Sequence, residues 1–296
     1  MPEITLVVPF RNREQLLPRM LASLAATTMW PSRVVFVDNN STDGSKALCE
    51  AFAKEHPDHD IRLVCEPTPG APAARNCGLS QCETDFVYFF DSDDELSPTF
   101  FADIAPHLPA PLDLLAVPTR MERNGRLHTR TYRPTAKPED QILSSHLNTQ
   151  AMVVRADFLR RLGGWDNACP LWNDWELGLR LLLAQPRMRW LTDKAYHTIH
   201  LHAASLTGGS LAQRADGILT TLRRAADLPL TSAARKALFL RHSILSGQLL
   251  HQGAPEAAAL SDAQIRRLFG RAPQPLLRAY AAHGGRAAWR IARCCC

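Results

Sequence analysis

A chain of 296 residues, 46% hydrophobic and 21% charged, can bury a sizeable core in one large α/β domain or in one domain with an appendage. No run reaches the ~18 to 20 apolar residues that span a bilayer, and the start, Met1-Pro2-Glu3-Ile4, lacks the basic flank and apolar stretch of a signal peptide, so a cytosolic protein is expected. The formal charge of +5 is concentrated at the C-terminus, where Arg266, Arg267, Arg271, Arg278, Arg286, Arg290 and Arg293 all follow the last acidic residue, Asp262.

In chain order, short β-rich runs at Ile4 to Val8, Val34 to Val37, Ile61 to Cys65 and Phe86 to Phe90 alternate with helical patterns at about Glu14 to Ala26, Gly44 to Lys54 and Ala71 to Leu79. A period switching from 2 to 3.6 and back predicts βαβ units. Such units build a parallel sheet whose strand-end loops gather ligand groups. Beyond Pro98 the pattern loosens. A buried strand is expected at Leu112 to Val117, a polar one at Arg126 to Tyr132, and a loop around Pro134 and Pro138. A helix at Trp175 to Ala184, a strand near Met188 to Leu191 and a His-rich segment from His197 to His202 follow. From about Ser210 the chain reads as helical, Ala- and Arg-rich, with no internal repeat.

Cys49, Cys65, Cys77, Cys82 and Cys169 stand singly in apolar or helical stretches, which points to reduced, buried thiols rather than a disulfide framework. Cys294, Cys295 and Cys296 form a separate terminal cluster that does not fit a prenylation box. Acylation is one reading of it. The arginines there interleave with Leu268, Phe269, Leu276, Leu277, Trp289 and Ile291, as in a basic amphipathic surface resting on anionic lipid. A solvated face that completes the fold explains them equally well, and nucleic acid is disfavoured.

The strongest chemical signal is Phe86-Val87-Tyr88-Phe89-Phe90-Asp91-Ser92-Asp93-Asp94, where an apolar strand runs into three carboxylates. Like charges this close repel, so a divalent cation or ligand donors are needed to keep them ionised. Oxygen ligands favour Mg²⁺ or Mn²⁺ with positions left for a diphosphate. The alternative is an acidic turn in which Asp94 or Ser97 caps the next helix. A calcium loop fails, because a frame starting at Asp91 has Leu96 where glycine is needed. Asp38 ends the second strand, where a carboxylate can accept from a nucleobase or ribose. Ser41, Thr42 and Asp43 after it suit turn formation and capping. Arg75, alone in the apolar helix Gly70-Ala71-Pro72-Ala73-Ala74-Arg75-Asn76-Cys77-Gly78-Leu79, is expected to meet an anion, either these carboxylates or a phosphate.

Val7-Val8-Pro9-Phe10-Arg11-Asn12, Val37-Asp38-Asn39-Asn40-Ser41-Thr42-Asp43-Gly44-Ser45, Ala74-Arg75-Asn76-Cys77-Gly78-Leu79 and Phe90-Asp91-Ser92-Asp93-Asp94 resemble, in order and spacing, glycosyltransferase family 2. The likeness is good over the first 100 residues and weaker to about residue 206. It implies a GT-A fold over residues 1–206, with a nucleotide-binding half at 1–97 and an acceptor-binding half at 98–206, followed by a helical basic region at 207–296. It further implies an inverting transferase in which Pro9 and Arg11 line the base pocket, Asp38 contacts the base, Arg75 supports the nucleotide, and Asp91 and Asp93 hold ribose and metal. Arg11 departs from the aromatic residue often found there.

By the same resemblance the general base is Asp174, in Asn173-Asp174-Trp175-Glu176-Leu177, with Glu176 as the fallback. Both also suit an ordinary first helical turn. Trp165, Trp172 and Trp175 suit either acceptor stacking or core. His202-Ala203-Ala204-Ser205 is similar to the family's His-x-x-Ser segment, which makes His202, ahead of His200, the candidate third metal ligand. The implied reaction is hexosyl transfer from a UDP-sugar, or a dTDP-sugar, to a glycan or lipid-linked acceptor at the inner face of a membrane. A sugar-1-phosphate nucleotidyltransferase is disfavoured because Pro9-Phe10-Arg11-Asn12 replaces its glycine-rich loop. A non-catalytic nucleotide- or sugar-binding module is the other alternative.

Overall fold

A computed structural model describes residues 3–108, 111–123, 125–129, 134–200, 210–285 and 288–294. In chain order the elements are β1 (Ile4–Phe10), α1 (Leu17–Ala25), β2 (Arg33–Asp38), α2 (Ser45–Glu55), β3 (Ile61–Cys65), α3 (Ala71–Ser80), β4 (Phe86–Phe89), α4 (Phe100–Ile104), β5 (Leu114–Ala116), β6 (Arg120–Arg123) and β7 (Arg126–Thr129). There follow α5 (Pro138–Ser144), β8 (Met152–Arg155), α6 (Ala156–Arg161), α7 (Asn173–Leu183), β9 (Met188–Trp190) and β10 (Thr198–His200). The chain then continues through α8 (Ala215–Ala226), α9 (Ser232–His251), α10 (Pro255–Phe269), α11 (Pro275–Ala282) and α12 (Ala288–Arg293).

Contacts divide the chain into two compact units. The first comprises Met1–Pro134, Leu147–Asn167 and Pro186–His202; the second comprises Thr135–His146, Ala168–Gln185 and Ala203–Cys296. The division does not fall at residue 206 alone, because α5 and α7 pack with the C-terminal helices. Their Ile142, Leu143, Trp175 and Leu179 share one apolar core with Leu238, Leu245 and Leu249 of α9.

The first unit holds a seven-stranded sheet in the order β3-β2-β1-β4-β8-β5-β9. β1, β2, β3 and β4 run parallel, and β8 is antiparallel to both β4 and β5. β2 is buried at every residue and β1 at all but Pro9, which suits a sheet covered on both faces. Leu6, Val8, Phe10, Phe36, Tyr88 and Phe90 form its core with Leu17, Met20 and Leu24 of α1. Burying one such side chain contributes about 1.5–3 kcal/mol. α3 lies so close to the sheet that a Cβ at Gly78 would overlap the Val7 side chain. α1 starts later than its apolar pattern suggests: Leu16 and Leu17 close a turn onto the Arg13 carbonyl, and Pro18 falls in the first helical turn, where it needs no N–H partner. Of the polar run expected at Arg126 to Tyr132, Arg126–Thr129 forms β7 in a hairpin with β6, and residues 130–132 lie outside the described residues.

The second unit is helical. Leu177, Ile218, Leu222, Leu238, Leu245 and Ile265 are among its buried residues. Among the described residues, no helix is long and apolar enough to cross a membrane. Cys49, Cys82 and Cys169 are buried, as their apolar settings imply, whereas Cys65 and Cys294 are exposed. Cys295 and Cys296 lie outside the described residues.

Candidate functional site

The carboxyl ends of β2, β1 and β4 lie side by side. Phe10 pairs with Asp38 and Val7 with Phe89, and the Phe90 N–H donates to the Val7 carbonyl at 2.9 Å. The register therefore brings Asp38, Pro9 and Asp91 to one edge of the sheet, where ligands of open α/β sheets bind. Side chains clamp the loops there. Asn12, at φ +50°, accepts from the Thr42 N–H at 2.8 Å and donates its own N–H to the Ser41 hydroxyl at 3.1 Å. Asp43 accepts from the Glu14 and Ser45 N–H groups. Ser41, Thr42 and Asp43 thus serve turn formation, as their residue types suggest. Arg11 is exposed and Pro9 half-buried on this loop.

Asp38 is buried, with its Oδ1 accepting from the Ser41 N–H at 2.9 Å. Beside it, Asn39 donates to the carbonyls of Glu66 and Thr68 at 2.8 and 2.7 Å and accepts from the Gly70 N–H at 2.8 Å. Asn39 thereby fixes the loop that opens α3, where Gly70 adopts φ +129°, a conformation open only to glycine. In α3, Arg75 is buried and donates to Asp91 Oδ1 at 2.7 Å, so the expected anion is this carboxylate. The guanidinium also lies over the Trp165 ring at 4.4 Å. Trp165 is held by Asn76, which bonds both its N–H and its carbonyl at 2.8 Å. The conformation of the 163–165 loop is thus tied to the same helix that carries Arg75.

The three carboxylates after β4 have different environments. Asp91 has a side chain 31% exposed and receives Arg75 on Oδ1 and the Gln150 amide on Oδ2, the latter at 2.9 Å. Asp93 is 15% exposed, with the Arg13 guanidinium at 3.9 Å, while its backbone carbonyl accepts from Arg19. Asp94 turns inward. Its Oδ1 accepts from the His200 N–H at 2.8 Å and its Oδ2 from Gln150. Burial, with the Asp91 and Asp93 charges adding to it, pushes the Asp94 carboxyl well above the usual carboxylate range. The helix-cap alternative does not hold, since α4 starts at Phe100 with Thr99 in the cap position.

Glu176 is buried and makes a two-point contact with Arg180, at 2.6 and 2.9 Å. Asp174 is partly exposed in the first turn of α7, and its Oδ1 accepts from the Trp175 N–H at 2.8 Å. Both belong to the second unit. Trp165 and Trp175 are buried core residues, while Trp172 lies under the Arg241 guanidinium at 4.7 Å. His200 has its Nδ1 3.2 Å from Glu122 and its Nε2 3.5 Å from Glu95. His197 is fully buried and neutral, its pKa pushed down to about 3 by burial. His202 lies outside the described residues, and among those described no three His, Cys, Asp or Glu side chains are arranged to hold a metal ion. Asn39, Asn76, Arg13 and Gln150 are the site residues that sequence reasoning did not single out.

Residues 5–160 match the model of glycosyl transferase family 2, so the chain belongs to that family. It is 30% identical over 204 residues to the pre-mycofactocin glycosyltransferase of Mycobacterium tuberculosis, a match covering 64% of this chain and 41% of that protein. It is also 29% identical over 216 residues to the O-antigen biosynthesis protein RfbC of Myxococcus xanthus, covering 71% and 17% respectively. The chain therefore spans well under half the length of these relatives. Among solved structures, S. aureus TarS 1–349 in complex with UDP-GlcNAc aligns with a TM-score of 0.68 at 21% identity, covering 98% of this chain and 90% of that one. The mannosyltransferase PcManGT of Pyrobaculum calidifontis, in complex with GDP-Man and Mn²⁺, aligns with a TM-score of 0.61 at 19% identity, covering 99% and 82%. The GT-A fold with a helical C-terminal part is thereby borne out.

Proposed function

We propose that this chain transfers a hexosyl group, with inversion, from a nucleotide sugar, a UDP-sugar first and a dTDP-sugar second, to a hydroxyl of a glycan or lipid-linked acceptor at the cytosolic face of a membrane. The observation that carries this reading is the alignment of Asp38, Pro9 and the Arg75-held Asp91 along one sheet edge. A solved neighbour in complex with UDP-GlcNAc supports the donor class. Pro9 and Arg11 would border the base, Asp38 would accept from it, and Arg75 would support the nucleotide through Asp91. The exposure of Arg11 leaves its guanidinium able to stack on the base.

The donor set suits a hard cation. Asp91 and Asp93 present carboxylate oxygens on partly exposed side chains, and Mg²⁺ or Mn²⁺ held by one or two carboxylates completes its shell with diphosphate oxygens and water; His202 is the third candidate ligand. When bound, the ion would neutralise the charge that develops on the leaving diphosphate. Asp174 would accept the acceptor's hydroxyl proton as the oxygen bonds the anomeric carbon and the bond from that carbon to the diphosphate breaks, its electron pair leaving with the nucleoside diphosphate. In Asp93→Asn, UDP affinity measured by calorimetry in Mn²⁺ is expected to fall at least tenfold. Undiminished affinity would sink the metal assignment. Nucleotide binding by the wild type without sugar turnover on any donor of a nucleotide-sugar panel would instead favour the binding-module alternative.

The C-terminal region is proposed to touch anionic membrane. Arg278 and Arg293 do not serve that role, since Arg278 pairs with Asp262 at 2.8 Å and Arg293 with Asp140 at 3.3 Å inside the helical unit. Exposed in that region are Arg266, Arg267, Arg271, Arg290 and Cys294, with Leu276, Tyr280 and Ile291 exposed by 77%, 41% and 44%. A truncation near Leu260 would cut α10 through its middle, so point changes are the cleaner probe. The Leu276→Ser/Ile291→Ser/Arg266→Gln variant is expected to float with phosphatidylserine vesicles several-fold less than the wild type, and equal flotation would remove the proposal.

A further inference from the structure

Gln150 stands on the short 3-10 turn Thr149–Ala151 that leads into β8. β8 runs antiparallel to β4 with Tyr88 opposite Val153, and continuing that register three residues sets Gln150 opposite Asp91. Its backbone is anchored there, because the phenol of the fully buried Tyr88 donates to the Gln150 carbonyl at 2.9 Å. The residue is 3% exposed, and its amide nitrogen donates to Asp91 Oδ2 at 2.9 Å and also to Asp94 Oδ2. With Arg75 on Oδ1, Asp91 is gripped at both oxygens. The two grips differ in charge. An amide orients a carboxylate without neutralising it, whereas a second cation would cancel the charge that a ligand has to meet.

We propose that Gln150 is a positioning residue of the donor site, setting the direction in which Asp91 presents its carboxylate to the nucleotide; this rests on the nucleotide-sugar reading above. Gln150 touches no reacting atom and acts through Asp91. Misdirecting a group that must meet its ligand within a fraction of an ångström weakens binding even when every residue is present. The proposal differs from a general role in packing by one signature: the effect of removing the amide must disappear when Asp91 can no longer use it.

The test is a double-mutant cycle read by calorimetry of UDP in Mn²⁺ on the full chain, with Gln150→Met, Asp91→Asn and the double variant. Gln150→Met is expected to weaken UDP binding at least tenfold when Asp91 is present and less than twofold in the Asp91→Asn background. Equal weakening in both backgrounds, or unchanged affinity in the single variant, overturns the proposal. If Gln150→Met does not fold, Gln150→Asn, which keeps the amide but withdraws it by one methylene, is read against the same two criteria. A folded wild type that binds none of UDP, GDP and dTDP overturns the nucleotide reading itself, and the proposal falls with it.

Discussion

Asp174→Asn is expected to lower kcat by about 10²–10⁴-fold, the range that a positioned general base contributes, while leaving UDP affinity within about threefold. The expectation comes from contrasting the two acids of α7. Glu176 is buried and bound at both oxygens by Arg180, so its charge is already spent on an internal pair. Asp174 is partly exposed, and among the described residues the donor to its carboxylate is the neighbouring Trp175 N–H, on Oδ1. Its other oxygen is the better placed to take a proton. Glu176→Gln should accordingly cost stability, because it weakens a buried ion pair, and leave the rate per folded molecule nearly unchanged. Single-turnover measurements with whichever donor the panel identifies separate the two variants. Full activity of Asp174→Asn would remove it as the base, and a rate loss confined to Glu176→Gln would transfer the role.

Much of the first unit is legible in the sequence, because each of its first four strands is a short apolar run and helices of period 3.6 separate them. The four motifs fall at strand ends or on the helix beside them, where local sequence and function coincide. Arg75 could be recognised as needing an anion, since a lone guanidinium in an apolar helix has few alternatives. Its particular partner could not. Gln150 lies 59 positions from Asp91, in a segment without regular periodicity, and only the antiparallel return of β8 brings the two together. Asn39 and Asn76 read as ordinary turn and helix residues, yet both act through backbone groups that carry no sequence signature. The boundary between units was equally hidden. α5 and α7 are short amphipathic helices whose partners, α8 and α9, follow them by tens of residues, so no local composition shift marks where one core ends and the other begins. The terminal arginines illustrate the converse, since sequence alone gives them one character and the structure separates the ion-paired Arg278 and Arg293 from Arg266, Arg267 and Arg271, which are exposed.

Burial pushes down the pKa of His197 in the first unit and of His242 in the helical unit, and the helical unit is expected to lose stability first as pH falls from about 6.5 to 4.5. His242, on α9, is fully buried with neither ring nitrogen hydrogen-bonded among the described residues, and burial pushes its pKa down to about 3; the Arg241 charge acts in the same direction. A histidine depressed in the folded state stabilises above its unfolded pKa, and that contribution drains away as pH falls toward the folded value. At about 1.4 kcal/mol per pH unit, His242 alone should cost the helical unit on the order of 2–3 kcal/mol by pH 4.5. His197 imposes a similar loss on the first unit, but Asp94 opposes it there. A carboxyl whose folded pKa is raised destabilises at high pH, and protonation relieves that penalty as pH drops. The depressed carboxylates of the first unit, Asp113 at about 2 among them, begin to matter only from about pH 5 downward, at the lower end of this window. Hydrogen exchange at pH 7, 6, 5 and 4.5 should therefore show protection falling earlier in α8 to α11 than in β1 to β4. In His242→Leu, which removes the titrating ring and keeps an apolar side chain in its place, the helical unit should keep its protection across that window. An unchanged acid profile in this variant would show that the loss arises elsewhere.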